Sequence, residues 1–107
     1  MKNIDPLQRY DSADAFFMLG GSVLMKLSAD AAITVCTTAA DYGRVVTRVE
    51  GGVWHHPGFE ARVDCIWDGV DPPVTLEALE QNNREASAFI STERSEHDVF
   101  VLTTQPA

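Results

Sequence analysis

The stretch that decides the fold is residues 45–68, VVTRVEGGVWHHPGFEARVDCIWD. It contains two runs in which apolar and polar side chains alternate, separated by Gly51-Gly52 and by the sequence His-His-Pro-Gly. A period of two is typical of β-strands, and glycine and proline mark the break between them. The stretch therefore predicts two extended strands joined by a wide, ordered loop.

The second run predicts one apolar face for the sheet. Successive side chains of a strand point to opposite faces, so alternate residues from Phe59 to Trp67 share one face, and the charged residues between them share the other. An apolar face of this kind has to be covered by the rest of the chain. The residues expected to meet in the core are Phe59, Val63, Trp67, Leu76, Leu79 and Phe89.

The segments before this stretch predict a helix and a further strand. Apolar side chains at helical spacing indicate a helix over residues 13–28, although Gly20-Gly21 weakens it and also permits a hairpin with a Gly-Gly turn. Residues 32–38, AITVCTT, are rich in β-branched side chains and predict a strand. Residues 1–10 are expected to form a loosely ordered lead.

The segments after it predict a second helix and a last strand. Thr75 can cap a helix whose apolar stripe runs to Ile90, and residues 99–104, VFVLTT, indicate a strand inside the sheet because both its faces are apolar. The order is α-β-β-β-α-β. The predicted fold class is therefore α+β: a single domain over residues 1–107, built as a two-layer sandwich with two helices and an antiparallel sheet of about four strands.

Composition limits the possible partners. The chain of 107 residues carries a formal net charge of −8, which repels nucleic-acid phosphates and anionic membranes and attracts basic proteins. We expect no nucleic-acid binding, no membrane span and, since no secretory signal is evident at the start, a cytoplasmic location. Cys36 and Cys65 lie in apolar runs and are expected to be buried thiols rather than a disulfide.

No residue pattern indicates an enzyme. Adjacent histidines at 55 and 56 on a strand point to opposite faces, and neither they nor His97 fall at a metal-ligand spacing. An apolar setting raises a thiol pKa, which disfavours a cysteine nucleophile. We therefore predict no catalytic residue, no metal and no cofactor.

The acidic residues of the second half predict a surface that binds a basic protein. Trp54 is the best candidate for an exposed aromatic anchor, since aromatic side chains ringed by charge are typical of tight interfaces. The predicted partner-binding residues are Trp54, His55, His56, Asp64, Asp68, Asp71, Glu77, Glu80 and Glu85.

Size, charge and the lack of catalytic motifs favour a small acidic inhibitor, of the immunity-protein kind, that neutralises a basic nuclease toxin by covering its active site. The chain could act as a monomer or a homodimer. The alternatives are an acidic secretion-type chaperone, which would be an obligate dimer, a phage-type inhibitor that mimics nucleic acid, and a small histidine-dependent enzyme.

Overall fold

Two α-helices cover a mixed β-sheet in a computed structural model that describes residues 4–19, 25–55 and 58–107. The molecule is only 18 Å across its shortest dimension, as expected for one layer of helices on one sheet. The predicted two-layer α+β sandwich is confirmed. The helices are α1 (Ala29–Thr38) and α2 (Leu76–Glu93), and the strands are β1 (Arg9–Tyr10), β2 (Lys26–Leu27), β3 (Arg44–His55), β4 (Gly58–Asp68) and β5 (Val99–Pro106).

In the described part of the chain, the sheet has five strands in the order β1-β2-β5-β3-β4. The pair β1-β2 is parallel and the other pairs are antiparallel. The last strand lies between β2 and β3, which confirms its predicted position inside the sheet. The two predicted strands are confirmed, as β3 and β4 pair from Arg48 with Asp68 to His55 with Gly58. The wide loop predicted between them is wrong, because the pairing continues until only residues 56 and 57 separate the strands.

The predicted strand over residues 32–38 is wrong, because this segment belongs to α1. The Ser28 side chain caps the helix by accepting a hydrogen bond from the Ala31 backbone N–H. The hydroxyl of Thr38 donates to the Thr34 carbonyl oxygen within the helix at 2.7 Å. Capping and an apolar stripe therefore outweigh the preference of β-branched residues for strands. The buried residues of α1 are Ala29, Ala31, Ala32, Val35 and Cys36.

The helix predicted over residues 13–28 is also wrong where the structure describes it. A single 3-10 turn spans Phe17–Leu19, and Lys26–Leu27 form β2. Two apolar residues of this segment are nevertheless core residues, since Phe16 and Met25 are fully buried, whereas Met18 is 82% exposed. Gly20 and Gly21, on which the alternative hairpin depends, lie outside the described residues.

The second helix begins where the sequence predicts, with Thr75 as its cap. Leu79 and Ile90 are buried as expected, but Leu76 is 67% exposed. Two neighbouring asparagines, Asn82 and Asn83, are also buried on this helix.

The predicted apolar face of β4 is only half correct. Cys65 is fully buried and Trp67 packs against the core, but Val63 is 90% exposed. The cause is an irregularity: Glu50 pairs with Ile66 while Gly52 pairs with Ala61, so four residues of β4 face the single residue between Glu50 and Gly52. A bulge of this kind breaks the alternation of side chains. Phe59 is partly buried, and Phe89 packs against the core as predicted.

Candidate functional site

The outer end of the β3–β4 hairpin carries two aromatic residues and a carboxylate that contacts two basic side chains. We call the described residues Trp54, His55, Phe59, Glu60 and Arg62 the hairpin tip. Trp54 lies directly opposite Phe59 in the register, and both side chains are partly buried. The Glu60 carboxylate bridges two side chains, with His55 Nε2 at 2.7 Å and Arg62 Nε at 2.8 Å.

The backbone of Trp54 is fixed from the opposite side. Its N–H donates to Asp98 Oδ1 at 2.8 Å, and the other oxygen of Asp98 lies 3.6 Å from Arg9 Nη1. The Asp98 backbone N–H in turn donates to the Gly52 carbonyl oxygen at 3.1 Å. The indole is therefore presented from a rigid backbone, which lowers the entropy that a binding contact costs.

The Gly51-Gly52 pair lies inside β3, so its predicted place at the break between the two strands is wrong. A Cβ atom on Gly52 would lie 2.1 Å from the Glu60 carbonyl oxygen and 2.6 Å from the Phe59 ring. Glycine is needed here because the backbone of β4 and the ring of Phe59 approach β3 closely. Gly52 thus allows β3 and β4 to pair closely at the hairpin tip.

The predicted acidic residues are all exposed, and they come from two parts of the chain. Asp64 and Asp68 lie in β4, and Asp71 lies in the loop after it. Asp68 forms an ion pair with Arg48 at 3.1 Å. The other three lie on α2 and are called here the acidic face of α2: Glu77, Glu80 and Glu85.

The structure does not bring the acidic face of α2 together with the hairpin tip. Asp98, which holds Trp54, follows the C-terminal end of α2, whereas Glu77 and Glu80 lie in its first turns. At 1.5 Å per residue, Glu77 lies roughly 24 Å along the helix axis from Glu93. The predicted site is thus an anchor at one end of α2 and a charged face toward the other. His56 lies outside the described residues.

A surface cavity of about 460 Å³ between α1 and α2 was not predicted. Glu80, Asp41 and Arg84 line it together with the buried Cys36. Because α1 was predicted as a strand, no sequence pattern indicated that residues 36–41 lie beside α2.

A second group that sequence reasoning missed lies near the irregular part of β4. Cys65, Glu93 and His97 place a sulfur, a carboxylate oxygen and a ring nitrogen within 4.8 Å of one another. The spacing of Glu93 and His97, four residues apart at a helix end, was the one available signal. Only the folded structure adds Cys65.

Both cysteines are free and buried, as expected. Burial raises the pKa of Cys36 to about 12 and that of Cys65 to about 11, the latter helped by the Glu93 carboxylate. Neither thiol is therefore activated as a nucleophile at neutral pH.

No helix within residues 4–19, 25–55 and 58–107 combines the length and the apolar character needed to cross a membrane.

The fold and the exposed surface together define a small acidic domain suited to binding another protein. Comparison with known proteins shows the family within that class. The family model described as Colicin-E5 Imm protein matches residues 25–104, and the chain belongs to that family. It is therefore a toxin-neutralising immunity protein, and the family consists of inhibitors rather than catalysts.

Individual relatives agree with the family match. The chain is 65% identical over 101 residues to the immunity protein CdiI of Burkholderia pseudomallei, covering 94% of this chain and 93% of the relative. It is 34% identical over 80 residues to the colicin-E5 immunity protein of Escherichia coli, covering 74% of this chain and 96% of the relative. The inhibitor hypothesis is thereby confirmed over the chaperone alternative.

Proposed function

We propose that this immunity protein binds a basic nuclease toxin in the cytoplasm and neutralises it by covering its active site. Family membership combined with a net charge of −8 supports the proposal. A nuclease must attract phosphates and so carries a basic groove, to which an acidic domain is electrostatically complementary.

The acidic face of α2 is proposed to steer association. Its three carboxylates are exposed, and Glu80 also borders the cavity between the helices. Attraction between exposed charges is screened over about 10 Å at 0.1 M salt and about 3 Å at 1 M. The association rate should therefore fall steeply as salt is added, while the dissociation rate changes less.

The hairpin tip is proposed to anchor the complex through Trp54. The Trp54 hydrogen bond to Asp98 uses the backbone N–H, so alanine at this position keeps it and removes only the indole. Loss of an aromatic hot spot costs about 2 kcal/mol, equivalent to roughly thirtyfold faster dissociation. Val63→Ala is a matched control, because Val63 is an apolar residue of the same hairpin that is 90% exposed.

The test uses the toxin that the Burkholderia relative neutralises. Its cleavage of RNA and of DNA is measured with and without this protein, and binding rates are measured by stopped flow from 0.05 to 1 M salt. We expect mixing to abolish cleavage and the double variant Glu80→Lys with Glu85→Lys to associate at least tenfold more slowly. The control reverses the same number of charges in the first half of the chain, Asp11→Lys with Asp14→Lys.

Three results would contradict parts of the proposal. A toxin that cleaves no nucleic acid would refute the nuclease assignment. An association rate that does not depend on salt, or that falls equally in both double variants, would remove the steering role of α2. Equal dissociation rates for Trp54→Ala and Val63→Ala would remove the anchor.

A further inference from the structure

Three side chains able to bind a metal converge from three separate elements. Cys65 lies on β4, Glu93 is the last residue of α2, and His97 lies in the connection to β5. Their sulfur, carboxylate oxygen and ring nitrogen all lie within 4.8 Å of one another. In the described ranges, no other group of three or more such residues meets this condition.

The position of these residues differs from that of the surface carboxylates. Cys65 is fully buried, His97 is 9% exposed, and Glu93 is partly buried. Thiolate and imidazole are typical zinc ligands, whereas magnesium and calcium are bound by oxygen ligands alone. A carboxylate completes many zinc sites. We propose that Cys65, Glu93 and His97 form a binding site for Zn²⁺, with a fourth position open to water.

The distances fit a small closure around the ion. Zinc bonds of about 2.0–2.3 Å in a tetrahedron place the ligand atoms about 3.6 Å apart. The ligand atoms of this site are already within 4.8 Å of one another, so movements of about 1 Å or less bring them into position. The three elements belong to the same packed domain, and Glu93 ends a helix whose last turn can adjust.

The charge of the site matches that of the ion. A thiolate and a carboxylate contribute two negative charges, and a neutral imidazole contributes none, so a bound Zn²⁺ leaves the buried group neutral overall. On binding, the metal replaces the proton of the Cys65 thiol, which passes to solvent.

The surroundings also support the geometry. A Cβ atom on Gly51 would lie 2.3 Å from Cys65 Sγ, so glycine provides the space that the sulfur occupies. His97 Nδ1 lies 3.3 Å from the Glu93 backbone carbonyl oxygen. In the tautomer whose Nδ1 carries the hydrogen and donates to this carbonyl, Nε2 keeps the lone pair that a metal needs. His97 also lines a surface cavity of about 350 Å³.

The test measures metal binding by the full chain after chelator treatment. Zinc chloride is titrated by calorimetry, and cobalt chloride is titrated by absorption, where a sulfur-to-cobalt charge-transfer band reports a thiolate ligand. We expect one ion per chain, the charge-transfer band, and a higher melting temperature with zinc. Cys65→Ser should abolish the band, and His97→Gln should weaken zinc binding at least tenfold. Cys36→Ala is the matched control, because it removes the other buried cysteine and should keep both signals.

The proposal is overturned if the folded parent chain takes up no zinc, if cobalt gives no charge-transfer band, or if the band survives Cys65→Ser. If Cys65→Ser does not fold, Glu93→Gln and the parent chain decide the question. The Cys36→Ala variant keeps Cys65 as its one cysteine. Zinc should protect this thiol from a thiol reagent under mild denaturant, and a lack of protection refutes the site.

Discussion

Replacing Asn83 with alanine should destabilise the domain, because this side chain completes the edge of β3. Pairing between β3 and β4 begins only at Arg48, so among the described residues no strand adjoins the backbone before it on that side. Asn83 Oδ1 accepts a hydrogen bond from the Val46 N–H at 3.0 Å, and its Nδ2 donates to the Arg44 carbonyl oxygen at 3.1 Å. Asn82 donates to the Val46 carbonyl oxygen at 2.8 Å. The two asparagines thus replace the strand that β4 does not provide.

The size of the effect follows from what alanine leaves behind. Asn83 is 4% exposed, so the Val46 N–H loses its partner in a place that water does not reach, which costs about 1–3 kcal/mol. The lost bond to the Arg44 carbonyl adds about 1 kcal/mol, and the better helix propensity of alanine returns about 0.6 kcal/mol. The net loss is about 1.4–3.4 kcal/mol. For a domain of this size, that lowers the melting temperature by roughly 5–25 °C.

Urea unfolding followed by circular dichroism measures this loss. The midpoint should shift while the slope stays constant, since the same surface is exposed on unfolding. The matched control is Gln81→Ala, an exposed residue of the same helix that accepts a hydrogen bond only from Arg84, and it should change stability by less than about 0.5 kcal/mol. If the two variants unfold at the same urea concentration, Asn83 does not complete the strand edge.

Two further predictions concern the interior. Gly51→Ala should lower the free energy of unfolding in urea by about 1–3 kcal/mol, because its Cβ atom would collide with Cys65 Sγ. The control is Gly58→Ala, whose Cβ atom would meet only one atom, at 3.5 Å, and which should be near neutral. Equal urea midpoints for the two variants would contradict the close packing at Gly51. Burial raises the pKa of Cys36 from 9.0 to about 12, so between these values the folded state keeps a proton that the unfolded state loses. Stability should therefore fall as pH rises above 9, by up to about 1.4 kcal/mol per pH unit, and Cys36→Ala should show a shallower decline; parallel curves would refute the shift.

Long local patterns predicted the hairpin, α2 and β5 correctly, because each contains enough periodic residues to specify its element alone. The segment that forms α1 shows the limit of that reasoning. Its threonines and valine favour a strand by propensity, yet the Ser28 cap and the alanines that pack against the core decide for a helix. A cap followed by small residues was visible in the sequence, but its weight depends on what the helix packs against.

The error at Val63 has a different cause. Alternation along β4 is regular in the sequence, but the shift opposite Gly51 is a property of two strands together. No single-strand pattern contains that information. The same holds for the proposed metal site, because Cys65 reaches Glu93 and His97 only through the pairing of β4 and the position of the end of α2. The sequence could identify the carboxylates and Trp54 as candidate binding residues. It could not show that the acidic face of α2 and the hairpin tip are separate regions.

This separation bears on how the proposed complex would form. Glu77, near the start of α2, lies roughly 24 Å along the helix axis from the end that adjoins the hairpin tip, which is more than two Debye lengths at 0.1 M salt. The charge of Glu77 can therefore orient an approaching basic protein with little effect on the field at Trp54, whereas Glu85 lies only about 12 Å along the axis from that end. The indole, in contrast, acts only on contact and governs how long the complex lasts. Since the two regions act at different stages, substitutions in them should combine additively, with α2 changing the association rate and Trp54 the dissociation rate.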